Sequence, residues 1–145
     1  MFTPRDEGFA DRVRASFARQ RFMATLGATL DLVEPGRVVI SAAGDERLGQ
    51  QHGFLHAGVV ASLLDSACGY AAFSLMPADA GVLTVAYTIN LIAPATGDAT
   101  VATGEVMRAG NTITACRGIA ACGERTVAAM QATIMTVRDR PDVRG

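Results

Sequence analysis

One run of this chain restricts its fold more than any other. From Ala57 to Met76 it reads AGVVASLLDSACGYAAFSLM, twenty residues with a single charge, Asp65, at the middle. Wound as an α-helix at 1.5 Å per residue, it is long enough to cross about 30 Å of hydrocarbon. A lone carboxylate at that depth is expensive in lipid, and the many Ala, Gly and Ser residues suit a helix gripped closely by protein. The reading is therefore a buried core helix over residues 56–76, with no membrane span. Pro77 ends it, because proline lacks a backbone N–H and disfavours helical geometry at the residue before it. The rest of the chain has to supply apolar cover for that helix.

The flanking patterns show how. Thr3-Pro4-x-Asp6 is a helix-start signal with proline at the first helical position, and Arg19 and Arg21 suit a helix end, so residues 4–23 are predicted to form an outer amphipathic helix. Phe9, Val13 and Phe17, spaced by four, form its packing stripe. Thr25–Val33 and Arg37–Ala42 read as a hairpin joined by the turn Glu34-Pro35-Gly36. A polar segment, Gly44–Gly53, leads into the buried helix.

After Pro77 come four runs rich in Val, Ile and Thr: Val82–Ile92, Ala99–Arg108, Thr112–Cys122 and Thr126–Arg138. The breaks between them, Ala93–Asp98, Ala109-Gly110-Asn111 and Gly123-Glu124, are short, which implies antiparallel neighbours for at least the last three. The tail from Arg138 to Gly145 is polar and is expected to fray. With 145 residues there is room for one domain of about 100–200 residues. The predicted architecture is α+β over residues 1–145: an antiparallel sheet curled around the central helix, with an extra N-terminal helix.

Charge and cysteine usage exclude several classes of function. Thirteen basic and 14 acidic residues give a net charge of −1, which argues against an electrostatic footprint for nucleic acid. All the basic residues are Arg, a bias that runs along the whole chain and carries no functional weight. Cys68, Cys116 and Cys122 are odd in number and form no CxxC, and the N-terminus has early acids and no apolar signal region. Both point to a reduced, cytoplasmic protein. His52 and His56 lie four apart, yet no Glu stands between them and no third ligand follows, so no metal is expected. Neither a phosphate-binding GxxxxGK[ST] nor a strand-linked GxGxxG occurs, and no cofactor is implied.

The segment entering the central helix is the most specific part of the sequence. It reads Gln50-Gln51-His52-Gly53-Phe54-Leu55-His56-Ala57-Gly58, with Asp65 seven residues after Gly58. This resembles the PaaI-like family of hotdog-fold acyl-CoA thioesterases, whose pattern is Asn or Gln, then Gly, then His-Gly-Gly, then an acid at that distance. Gly81–Val85 and Asn90–Pro94 resemble the family's strand after the helix. The likeness extends over residues 25–137, and departs from the pattern in Ala57, where Gly is usual, and Gln50, where Asn is common.

Elementary chemistry assigns roles to the same residues. The first amides of a helix have no acceptor within it, so Ala57 or Gly58 N–H can hold an oxygen that gains negative charge during thioester hydrolysis. Asp65 lies eight residues beyond Ala57, about 12 Å along the axis and on a different face. One chain cannot bring both to one carbonyl. If both act, they come from two copies related by a two-fold axis, in a homodimer or a dimer-of-dimers tetramer. On the family's pattern, His56 and Gln50 help to hold the acyl oxygen, Asp65 activates water or attacks directly, and Thr84 of the same chain as Asp65 positions the nucleophile. The resemblance also suggests Arg108, Gly110, Asn111 and Arg125 as the rim that meets coenzyme A phosphates.

Each residue also has a plainer reading. Asp65 can be a buried carboxylate with a structural partner, His56 a helix cap, Gln50 a solvated amide, Thr84 an ordinary strand residue and the arginines solvated turn charges. Cys68 at i+3 from Asp65 has no His near it in sequence and reads as packing, and His52 reads as structural. The same pocket is compatible with a non-catalytic acyl-CoA sensor. A hotdog hydratase or dehydratase ranks last, since its His and carboxylate signatures are not evident.

Overall fold

The computed structural model describes residues 1–97 and 99–145. In chain order the elements are α1 (Phe9–Arg19), α2 (Arg21–Thr25), β1 (Ala28–Glu34), β2 (Arg37–Ala43), α3 (Ala57–Phe73), β3 (Gly81–Leu91), β4 (Ala99–Ala109), β5 (Ile113–Cys122) and β6 (Arg125–Val137), with a short 3₁₀ turn at Glu46–Leu48. The six strands form one antiparallel sheet in the order β1-β2-β4-β5-β6-β3. It curls around α3, as the sequence predicts. The predicted break at Ala93–Asp98 extends to residue 98, which lies outside the described residues.

The alternation of strand residues explains the core. Along β2, Val38, Ile40 and Ala42 are buried, and along β6 Met130, Ala132, Ile134 and Thr136 are buried, while their neighbours face outward. The inward set meets Leu63, Leu64, Ala67, Cys68, Ala71 and Phe73 of α3. The closest approach of helix to sheet is at Gly104 of β4. A Cβ there would stand 2.3 Å from the Ala67 carbonyl carbon and 2.5 Å from the Cys68 nitrogen, so only glycine allows this contact.

The N-terminal segment departs from the prediction. Instead of one helix over 4–23 there are two, because Gln20 adopts an extended backbone (φ −79°, ψ 95°) between them. The start is also later than Thr3-Pro4 suggests. Asp6 accepts the Gly8 N–H at 3.0 Å and pairs with Arg12 at 2.8 Å, so the first turn forms around Asp6. Arg12 then reaches the far end of α3: it donates to the Met76 carbonyl at 2.8 Å and lies 4.2 Å over the Phe73 ring. Thr25, predicted to open a strand, ends α2, and β1 begins at Ala28.

The central helix predicted over 56–76 is helical over 57–73 and closes with i→i+3 bonds from Leu75 to Ala72 and Met76 to Phe73. The buried Ser74 hydroxyl holds this end by accepting the Gly36 N–H at 2.8 Å and donating to the Ala71 carbonyl at 2.6 Å. Among the described residues no helix is long and apolar enough to cross a membrane. The tail does not fray outward, for the Val143 carbonyl lies against Gly81 and Gly145 packs on Phe73. Polarity alone misses this, because backbone is what makes the contacts.

Two surfaces remain open. Gly58, Ser62, Asp65 and Gly69 recur at helical spacing on the uncovered side of α3, none of them fully buried. Strand β3 lies at the sheet edge, and its Leu83, Val85, Tyr87 and Leu91 are about half exposed. A bulge between Thr84 and Ala86 shifts the alternation, so Thr84 (opposite buried Ile134) and Tyr87 (opposite buried Ala132) both face α3.

Candidate active site

The helix start is built by the hairpin-like loop before it. The Gln50 N–H bonds the Phe54 carbonyl at 2.8 Å, Gly53 turns at φ +83°, and Gly49 and Leu55 form an isolated bridge. Leu55 N–H donates to the Ala95 carbonyl at 3.0 Å and His56 N–H to the Leu48 carbonyl at 2.9 Å. These bonds aim the chain into α3 at a set angle.

His56 is the N-cap of α3, and its Nδ1 accepts the Gly58 N–H at 2.8 Å. Three consequences follow. The Gly58 amide is used, so of the two amides that the sequence offers for an oxyanion, Ala57 N–H is the one left without an acceptor among the described residues. The ring proton of neutral His56 must sit on Nε2, which makes that atom a donor. A Cβ at 58 would meet His56 Nδ1 at 2.9 Å and Cε1 at 3.2 Å, so any larger residue there displaces the capping ring. Cap and oxygen-holding roles of His56 are thus compatible: Nδ1 serves one and Nε2 is available for the other.

Gln50 completes this corner. Its Oε1 accepts the His52 N–H, which leaves its NH₂ as the group with hydrogens to give. Gln50, Phe54, His56, Ala57, Val60 and Leu91 line a largely apolar groove of about 460 Å³ between the start of α3 and the end of β3. His52 enters only through its backbone.

Asp65 and Thr84 come together elsewhere. Thr84 Oγ1 donates to Asp65 Oδ1 at 2.7 Å, and Asp65 is partly exposed on the open face of α3. Within one chain this pair stands two helical turns beyond Ala57, toward the opposite end of β3 from the groove. The rim residues divide as well. Arg108, Gly110 and Asn111 lie by the β4–β5 turn near the C-terminal end of α3, where Asn111 accepts a bond from Arg5 at 2.8 Å. Arg108 is exposed. Arg125 lies beside the groove, and its Nη2 donates to the Pro94 carbonyl at 2.8 Å and to Thr96 Oγ1 at 2.6 Å, so that nitrogen is committed to the protein itself.

Cys68 is the packed residue that its surroundings suggest: burial, reinforced by Cys116 and Asp65, pushes its thiol well up, away from a nucleophilic thiolate. Sequence reasoning did not find the groove wall at Leu91–Ala95 and Val127, residues that read only as strand and turn. No local signal marks them, since the wall exists only when β3 and β6 meet α3.

The profile of the Thioesterase superfamily matches residues 52–129, just over half of the chain. The chain belongs to the thioesterase superfamily. A thioesterase family protein from Silicibacter pomeroyi is 50% identical, with a TM-score of 0.89 over 90% of this chain and 99% of that one. The Escherichia coli PaaI protein from the phenylacetic acid degradation operon superposes with a TM-score of 0.82 at 21% identity, covering 92% of this chain and 96% of its own. A thioesterase from Haemophilus influenzae superposes with a TM-score of 0.79 at 15% identity, covering 85% and 87%. At these identities the last two speak for the fold alone. No curated protein sequence matches. The fold is the hotdog type with an added N-terminal helix, and the protein is a thioester hydrolase.

Proposed function

We propose that this protein hydrolyses an acyl- or aryl-acyl-CoA thioester to the free acid and coenzyme A, at sites shared between two copies of the chain. In the reaction water adds to the thioester carbonyl and gives its proton to Asp65. The carbonyl oxygen gains charge against Ala57 N–H, with His56 Nε2–H and the Gln50 amide as further donors; as the tetrahedral intermediate collapses the C–S bond breaks, and the departing thiolate takes the proton held by Asp65. Thr84 holds the carboxylate in place. A preorganised donor of the Ala57 kind is worth about 10²–10³ in rate.

The observation that carries this reading is the separation of the two half-sites along β3. Thr84 stands near the start of the strand and Leu91, which walls the groove, at its end, seven residues and roughly 23 Å away at 3.2–3.4 Å per residue. The free edge and half-exposed apolar side chains of β3 call for a partner strand. A two-fold axis through the middle of β3 pairs its start with its end, bringing Asp65 and Thr84 of the partner subunit toward the groove at Ala57. The small residues on the open face of α3 leave room for a second helix there.

The β4–β5 turn lies at the same end of the sheet as Thr84, through the row Thr84–Ile134–Thr114–Ala109. Arg108, with Gly110 and Asn111, therefore belongs to the half-site that supplies Asp65, and is the guanidinium offered to the coenzyme A phosphates. Three free cysteines and no disulfide fit a cytoplasmic enzyme.

Subunit mixing tests the arrangement. One chain carries Asp65→Asn and the other Ala57→Pro, which deletes the donor N–H at a position where proline suits the first helical turn. In a mixed dimer one site has both lesions and the other has none, so co-refolding two nearly inactive variants restores about a quarter of wild-type activity under random pairing. Mixed dimers that stay inactive refute the shared site.

A further inference from the structure

We infer that Arg125 is a positioning residue for the oxyanion corner, acting through the 93–96 loop. The inference rests on the hydrolase reading above and concerns the groove on Arg125's own chain. A single guanidinium nitrogen, Nη2, bonds both the Pro94 carbonyl and Thr96 Oγ1, at 2.8 and 2.6 Å, so it clasps the two residues on either side of Ala95. Ala95 is buried, and its carbonyl is the acceptor for Leu55 N–H at 3.0 Å. Leu55 directly precedes His56 and Ala57, the cap and the free donor.

On its other side the loop is anchored, among the described residues, by backbone bonds. Ile92 N–H and Ala93 N–H both donate to the Val127 carbonyl, at 2.8 and 3.2 Å, two residues from Arg125 along β6. After Ala93 the chain leaves the sheet. Among the described residues, the Arg125 clasp is the side-chain contact that holds its course while Ala95 presents a carbonyl to Leu55. Proline at 94 has no N–H, so it cannot help to tie the loop as a donor, and its carbonyl is the handle that Arg125 takes.

Arg125 therefore connects β6 to the direction in which Ala57 N–H points, without touching the reacting atoms. Loss of the clasp lets Pro94 and Thr96 turn to water at little cost in stability, because the site is exposed, while the oxyanion donor loses its fixed aim. Misplacement of a catalytic group by a fraction of an ångström to 1 Å lowers the chemical step and leaves the binding of distant parts of the substrate unchanged.

The test uses Arg125→Ala with two substrates carrying the same acyl group: the coenzyme A thioester and the N-acetylcysteamine thioester, which has no phosphates. Positioning predicts a fall in kcat of about tenfold on both substrates, with KM for each close to wild type. A rise in KM confined to the coenzyme A ester, with the truncated ester unaffected, identifies Arg125 as a phosphate contact and overturns the proposal. Unchanged kinetics on both also overturn it. Amide hydrogen exchange supplies a readout independent of activity: Leu55 should exchange at least tenfold faster in the variant while Ile92 keeps its protection. Unaltered Leu55 exchange refutes the clasp even if the wild-type protein hydrolyses neither ester, an outcome that would separately refute the acyl-CoA reading.

Discussion

Replacing Gly104 by Ala is the sharpest perturbation of the helix–sheet contact that sets the site's geometry. The added Cβ would lie 2.3 Å from the Ala67 carbonyl carbon, 2.4 Å from its oxygen and 2.5 Å from the Cys68 nitrogen, whereas ordinary contact begins at about 3.4 Å. Helix and strand must therefore separate locally by about 1 Å, and the obstruction is helix backbone, which cannot rotate away as a side chain can. Overpacking of a core costs typically 1–3 kcal/mol, and a backbone obstruction belongs at the upper end, about 3 kcal/mol. At about 2–4 °C per kcal/mol for a chain near this size, Tm falls by about 6–12 °C.

Gly118, paired with Gly104 across β4 and β5, provides the control. There a Cβ meets Cys68 Sγ and the Leu64 Cδ2 methyl at 3.0 Å, both able to shift, so Gly118→Ala should cost only about 1 kcal/mol. Activity responds as well, since Asp65 rides on α3 and its bond to Thr84 crosses from helix to sheet at 2.7 Å. Urea unfolding of both variants, with kcat per folded protein, measures the two effects. A Gly104→Ala protein within 1 kcal/mol of wild type, or more stable than Gly118→Ala, would refute the reasoning that backbone contact at this glycine limits the approach of α3.

Two further outcomes are expected. Asp65→Asn keeps the shape and removes the charge, and should lower kcat at least about 10²-fold while the protein still folds; near wild-type hydrolysis of the best acyl-CoA would make Asp65 structural. Burial pushes the Cys116 thiol up to about 12 and raises Cys68 likewise, whereas the unfolded chain releases these protons near pH 8.5. The native state thus binds more protons above that value, and stability falls as pH rises from about 9 toward 12, by about 1.4 kcal/mol per pH unit for each thiol. Buried Tyr70, also raised, adds in the same direction, and with no lysine in the sequence no side-chain ammonium titrates in this window. Urea midpoints measured at pH 8 and pH 10 check this, and a flat profile contradicts it.

The central helix was legible from the chain because twenty residues with one charge leave few alternatives, and the strands because Val, Ile and Thr alternate between recognisable turns. Ala57, Gly58 and Asp65 stood out for a local reason too: a helix start exposes amides, and a carboxylate in an apolar run needs a purpose; the role of His56 rested on the family resemblance. Tertiary structure decided matters of distance. That His56 caps Gly58, leaving Ala57 as the available donor, depends on a ring orientation that spacing does not define. That Thr84 reaches Asp65 depends on a β-bulge at Val85 which turns one strand residue toward the helix. That Arg125 Nη2 meets the Pro94 carbonyl and Thr96 Oγ1, 29 to 31 residues away in sequence, depends on how the start of β6 lies beside the end of β3. Local sequence carries periodicity and chain geometry over a few residues. Which distant groups meet follows from how sheet curvature and close packing at Gly104 bring the elements together.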